Sequence, residues 1–106
     1  MAITVLVVDD EEEARSSLTT LLTGKGYEVT CAATLAEARK QLQRGAGDVV
    51  VLDVNLPDGY GPSLLVETAL WALRPPIILI TAYGDIDMAV EAMKNGAHDF
   101  LTKPLS

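Results

Sequence analysis

Five short apolar, β-branched runs recur along the chain, at residues 3–8, 27–32, 49–52, 77–80 and 99–101, with helix-period stretches between them. That alternation leaves few folds open. The third run (VVVL) and the fourth (IILI) carry no polar alternation, which is how strands covered on both faces of a parallel sheet read. Ala14, Leu18, Leu21 and Leu22 share one helical face, as do Leu35, Ala38 and Leu42, and again Ile86, Val90 and Met93. Gly24 and Gly26, Gly45 and Gly47, and Asn95–Gly96 are stop signals for three of these helices. Thr34 with Glu37 forms a capping-box pattern, Pro62 suits the start of a third helix expected over 62–73, and Asp85 can cap the fourth. The reading is α/β, with strands and helices alternating in a parallel sheet with right-handed crossovers.

A chain of 106 residues fits one domain, 1–106. The net charge of −7 argues against nucleic acid binding by this segment, because phosphate contacts need a basic face. A cation, or a basic patch on a partner, fits better. Cys31 is the only cysteine, so no intramolecular disulfide forms, and its flanks read as those of a small buried strand residue. The first apolar run is too short to span a membrane and is followed at once by DDEEE, so no membrane role and a cytoplasmic location are expected. Trp71 reads as packing or partner contact, and His98 as a surface or strand-start residue.

The site is announced by Asp53, which closes the run VVVL within DVVVLDVNLPDG. A carboxylate at the end of a buried strand is costly unless paired or bound to a cation. Other apolar runs end in the same way: Asp9 and Asp10 close the first, Thr81 the fourth and Lys103 the last. In open parallel sheets, ligands bind at the carboxyl ends of strands near the point where strand order reverses. Three carboxylates in one crevice resist joint ionisation, so at least one pKa is expected to rise unless a cation arrives. Such a hard oxygen set suits Mg²⁺ better than Ca²⁺ or zinc. Taken alone, Asp9, Asp10 and Glu11 also read as a helix start, with Glu11, Glu12 and Glu13 solvated. No GxxxxGK[ST] occurs, so the parts describe phosphoryl transfer without a nucleotide loop. Asp53 would be the nucleophile, and Thr81 and Lys103 would hold the transferred group.

The motifs VVDDE, VVLDVNLPDG, ILITAYGD and AMKNGAHDFLTKPL, in that order, resemble the receiver domain of bacterial two-component response regulators. The resemblance implies a flavodoxin-like, doubly wound five-stranded parallel sheet of order 2-1-3-4-5. It implies that Asp53 is the phosphoacceptor, that Asp10 binds Mg²⁺ directly with Asp9 as its acidic companion, and that the main-chain carbonyl of Asn55 is a third ligand. Thr81 and Lys103 match phosphoryl contacts, and Phe100 matches an aromatic switch position acting with Thr81. Asn55 and Tyr83 match positions that tune phosphoryl lifetime, and Pro104 a position often preceded by a cis bond.

The resemblance further implies a sensor histidine kinase as phosphohistidine donor, an output domain beyond Ser106, and a homodimer on activation. It implies a signalling domain that catalyses its own phosphorylation and dephosphorylation rather than a turnover enzyme. The stretch TAYGDIDMAVEAMKNGAHDFLTKP looks most like receivers of σ54-dependent activators, hence an output in transcription. The alternative is a degenerate receiver that serves as a non-switching interaction module. The fifth helix of the family pattern is missing from the chain, so the last strand is expected to be bare on one face, with a continuation past Ser106 or a partner covering it.

Overall fold

The computed structural model describes residues 2–82 and 86–103. The elements are β1 (Thr4–Val8), α1 (Glu12–Gly24), β2 (Glu28–Ala32), α2 (Leu35–Gln43), β3 (Val49–Asp53), β4 (Asn55–Leu56), β5 (Gly59–Tyr60), α3 (Ser63–Thr68), β6 (Ile77–Thr81), α4 (Ile86–Lys94) and β7 (Asp99–Thr102). Five strands form one parallel sheet in the order β2-β1-β3-β6-β7, which is the expected 2-1-3-4-5 once the small β4–β5 hairpin is set aside. The two-residue strands are too short to show a period, and the Pro57-Asp58-Gly59 turn signal between them reads as a loop.

Two cores lie on the two faces. Leu6, Val8, Val50, Leu52, Ile77 and Leu79 point to one side and pack with Leu35, Ala38 and Leu42 of α2, Leu64 and Leu65 of α3, and Ala92 of α4. Val5, Val7, Val51 and Ile80 point to the other and meet Leu18 and Leu22 of α1. The alternate residues of each strand thus serve opposite faces, which is why the runs lack polar alternation. On the α1 side, Leu101 of β7 is exposed. A cavity of about 270 Å³ opens between α1 and the sheet, lined by Ala14, Leu18, Leu21, Ile80, Glu11 and Lys103.

Some expectations change. The third helix ends at Thr68 rather than near Leu73, and Leu70 and Leu73 stand in solvent. Thr68 turns its hydroxyl back to the Leu64 carbonyl at 2.8 Å, and the Trp71 amide closes on the Thr68 carbonyl at 3.0 Å, a tight final turn. Pro75 and Pro76 would in any case stop a longer helix before β6. Cys31 is exposed rather than buried, because β2 is an edge strand, and its Sγ lies 3.4 Å from Thr19 Oγ1. On α4, Val90 and Met93 are half exposed, and the core is met instead by Met88 and Ala92. Thr34 caps α2 as expected, accepting from the Glu37 amide at 3.1 Å. The Asp85 cap, Tyr83 and Pro104 lie outside the described residues, as does the side chain of Ile86.

Candidate functional site

Parallel register brings the acids together. Val8 of β1 pairs with Leu52 of β3, so the residues that follow, Asp9 and Asp53, lie at the same end of the sheet. Asp9 is fully buried and Asp53 is 8 % exposed, while Asp10 faces solvent. Carboxylate oxygens of Asp9, Asp10 and Asp53 lie within 4.8 Å of one another. Asp9 is held by the chain around it: its amide donates to the Ala32 carbonyl at 3.0 Å, and its Oδ1 accepts from the Glu11 amide at 2.9 Å. Arg15 Nη1 donates to its carbonyl at 2.8 Å.

Lys103 reaches into this cluster from the far edge of the sheet. Its amide donates to the Thr81 carbonyl at 2.7 Å, which continues the β6–β7 ladder and aims the side chain inward. Its Nζ lies 2.7 Å from Asp9 Oδ2, 2.9 Å from Glu11 Oε1 and 3.3 Å from Asp53 Oδ2. Thr81, buried, ends β6 one residue beyond Ile80, the register partner of Asp53. Phe100 is half-buried on β7, paired with Leu79 and packed against the larger core. Asn55 is exposed, and its amide makes a long 3.4 Å bond to Asp53 Oδ1.

The charges are unevenly settled. Burial, then the charge of Asp9, push the Asp53 carboxyl above its usual range, against the opposing pull of Lys103 and the Asn55 amide. Burial alone would lower Lys103, but the carboxylates of Asp9, Glu11 and Asp53 outweigh it and hold the ammonium above its usual value. Asp9 Oδ2 is buried with no hydrogen bond, so its 2.7 Å contact with Lys103 is an ion pair without hydrogen-bond alignment. The Lys103 ammonium thus faces Asp9, Glu11 and Asp53, with Asp10 beside them. The donor set is all hard oxygen, partly buried and open to solvent at Asp10, and it fits a small divalent cation that keeps part of its water shell. Glu11 is the residue that sequence reasoning missed. It is exposed, as a solvated helix start should be, yet it pairs with a lysine 92 positions away, which no local pattern signals.

An acid cluster with a lysine at the carboxyl edge of a 2-1-3-4-5 parallel sheet places this chain among flavodoxin-like domains with a cation-binding crevice at the strand ends. Residues 5–106 match the family described as response regulator receiver domain, and the chain belongs to that family. It is 40 % identical over 105 residues to the transcriptional regulatory protein ZraR of Escherichia coli, covering 97 % of this chain and 23 % of that protein. The chain therefore spans about a quarter of that relative's length. The beryllofluoride-activated NtrC4 receiver domain dimer superposes with a TM-score of 0.90 at 44 % identity, covering 97 % of this chain and 85 % of that one. A response regulator from Burkholderia pseudomallei, solved with a phosphorylated aspartic acid, calcium ion and citrate, superposes with a TM-score of 0.89 at 31 % identity, covering 98 % and 61 %.

Proposed function

We propose that Asp53 accepts a phosphoryl group from the phosphohistidine of a sensor histidine kinase and that Thr81, Phe100 and Lys103 convert this into a change of surface. The observation that carries the reading is the position of Lys103 Nζ between Asp9 and Asp53, with three carboxylates converging beside it. An oxygen of Asp53 forms the new P–O bond as the P–N bond to the donor imidazole breaks. The electron pair leaves with the imidazole, which takes up a proton. Lys103, already inside the crevice, binds a phosphoryl oxygen as a point charge, and Thr81 donates a hydrogen bond to another. Phe100 turns inward as Thr81 engages. Asn55 and Tyr83, each two residues past a site residue, govern the access of water and hence the lifetime of the acyl phosphate.

Asp9, Asp10, Asp53 and the main-chain carbonyl of Asn55 are the residues that would hold Mg²⁺. The ion would neutralise the acid cluster and the charge developing on the phosphoryl oxygens. The Burkholderia pseudomallei relative, with its phosphorylated aspartate and calcium ion, supports a phosphorylated aspartate and a divalent cation in a chain of this fold. The domain catalyses its own phosphorylation and dephosphorylation, without turning over a separate substrate. The NtrC4 receiver dimer supports a homodimer on activation, and the ZraR relationship supports an output in transcription carried by other parts of a longer protein in the cytoplasm. The σ54-dependent class is the output we favour, on the likeness of the stretch from Thr81 to Pro104. The test is labelling by acetyl phosphate. It should require Mg²⁺ and vanish in Asp53→Asn, and undiminished labelling of that variant would remove Asp53 from its role.

A further inference from the structure

We infer that Asp58 is a positioning residue for the metal side of the site, because it ties the β4–β5 hairpin to the N-terminus of α2 and thereby sets the backbone at Asn55. The hairpin begins two residues after Asp53 and has only two residue pairs, Asn55 with Tyr60 and Leu56 with Gly59. A ribbon that short does not hold its shape alone. Asp58 sits at its tip. The Leu35 amide donates to Asp58 Oδ1 at 2.8 Å and the Ala36 amide donates to Oδ2 at 3.0 Å, so one carboxylate takes up both of the first free amides of α2. These are charge-assisted bonds at the positive end of a helix, where a carboxylate is favoured.

The helix already carries its own cap. Thr34 accepts from the Glu37 amide at 3.1 Å, and Glu37 accepts from the Ala33 amide at 3.2 Å. Asp58 is therefore a second, long-range cap, and what it adds is the position of the hairpin. The neighbouring residue agrees: a Cβ on Gly59 would lie 2.9 Å from Leu35 Cδ1, so the hairpin backbone is pressed onto the same turn of α2. At the other end, the Gly61 amide donates to the Val54 carbonyl at 2.6 Å. Asn55 is thus held between a fixed strand end and a fixed helix end.

The inference rests on the reading that the Asn55 carbonyl is a Mg²⁺ ligand. The experiment is titration of the chain with Mg²⁺ alone, followed by backbone amide NMR shifts, for the wild type, Asp58→Ala, Asp58→Asn and Thr34→Ala. Loss of a group that orients a metal ligand typically costs tenfold or more in affinity, so Asp58→Ala should raise Kd about tenfold. Asp58→Asn keeps one acceptor oxygen and should fall between Asp58→Ala and wild type. Amide exchange at Asn55 should quicken in the same order. Thr34→Ala removes a cap from the same helix end without touching the hairpin, so it should lower stability and leave Mg²⁺ affinity within about twofold. Equal Kd for wild type and Asp58→Ala overturns the inference, and so does a Thr34→Ala variant as weakened as Asp58→Ala. A wild-type chain that binds no Mg²⁺ at millimolar concentration overturns the metal site itself, and the inference with it.

Discussion

Lys103 Nζ stands 3.3 Å from Asp53 Oδ2, joining residues fifty positions apart across the carboxyl edge of the sheet. The same ammonium is 2.7 Å from Asp9, which is fully buried. Removing the lysine strands two buried carboxylates. Breaking a buried pair from one side typically costs 3–5 kcal/mol, and access of solvent at Glu11 and Asp10 reduces that, so Lys103→Met should lose about 2 kcal/mol of stability in metal-free buffer. Mg²⁺ should restore part of the loss, since any ligand that binds only the folded state stabilises it. Urea melts with and without Mg²⁺ measure both effects. A variant as stable as the wild type in chelator would show that Lys103 does not neutralise the cluster.

The raised pKa of Asp53 has a sign that can be tested. A carboxyl whose folded pKa lies above its ordinary 3.8 holds its proton more tightly in the folded chain than in the unfolded one. Its contribution to stability is fully present below the unfolded value and is lost as pH rises through the folded value. At neutral pH the ionised Asp53 therefore works against folding. In chelator, Asp53→Asn should unfold at a higher urea midpoint than the wild type near neutrality, and the gap should narrow as pH falls toward about 4. A gap that widens on acidification would mean that Lys103 and the Asn55 amide outweigh burial.

Much of this site was legible because its signals are local. Asp9, Asp53, Thr81 and Lys103 each end a run of apolar residues, and a parallel sheet puts such ends on one edge. The roles of Glu11 and Asp58 were not legible, because their partners lie 92 and 23 positions away and either acid alone looks like solvated surface. The third helix was overdrawn for a different reason. Its segment is apolar nearly all round, so periodicity could not show that Leu70 and Leu73 point into solvent. Cys31 reads as buried from its small flanking residues, while β2 lies at the sheet edge and leaves it exposed.

Arg39 and Glu67 form the best-aligned surface pair among the described residues, with Nε to Oε1 at 2.7 Å and Nη2 to Oε2 at 3.0 Å, joining α2 to α3. The bidentate bond holds Glu67 below the usual carboxylate range. Both side chains are about 40 % exposed, so solvent screens most of that interaction. Glu67→Gln should cost no more than about 0.5 kcal/mol, and less in high salt. Phosphoryl labelling at Asp53 should be unchanged, since neither residue touches the acid cluster. A loss several times larger in a urea melt would show that the pair anchors α3 to the fold.

Gly61 is where the site depends on the absence of a side chain. It is buried, and a Cβ there would run into the carbonyl oxygen of Asp53 and lie 3.1 Å from that of Val54. Both are backbone atoms, and the Val54 amide is bonded to the Ile80 carbonyl at 3.1 Å, so the peptide after Asp53 cannot swing aside without leaving β6. Gly61→Ala must therefore displace the strand end that carries Asp53. Overpacking of this kind costs about 2 to 3 kcal/mol. Acetyl phosphate labelling should fall further than the folded fraction does, because the folded molecules that remain have Asp53 out of place. Gly24→Ala is the control, since a Cβ there meets nothing within 4 Å. It should leave both stability and labelling near the wild type, and a Gly61→Ala chain that labels normally would show that Asp53 tolerates a shift of its own backbone.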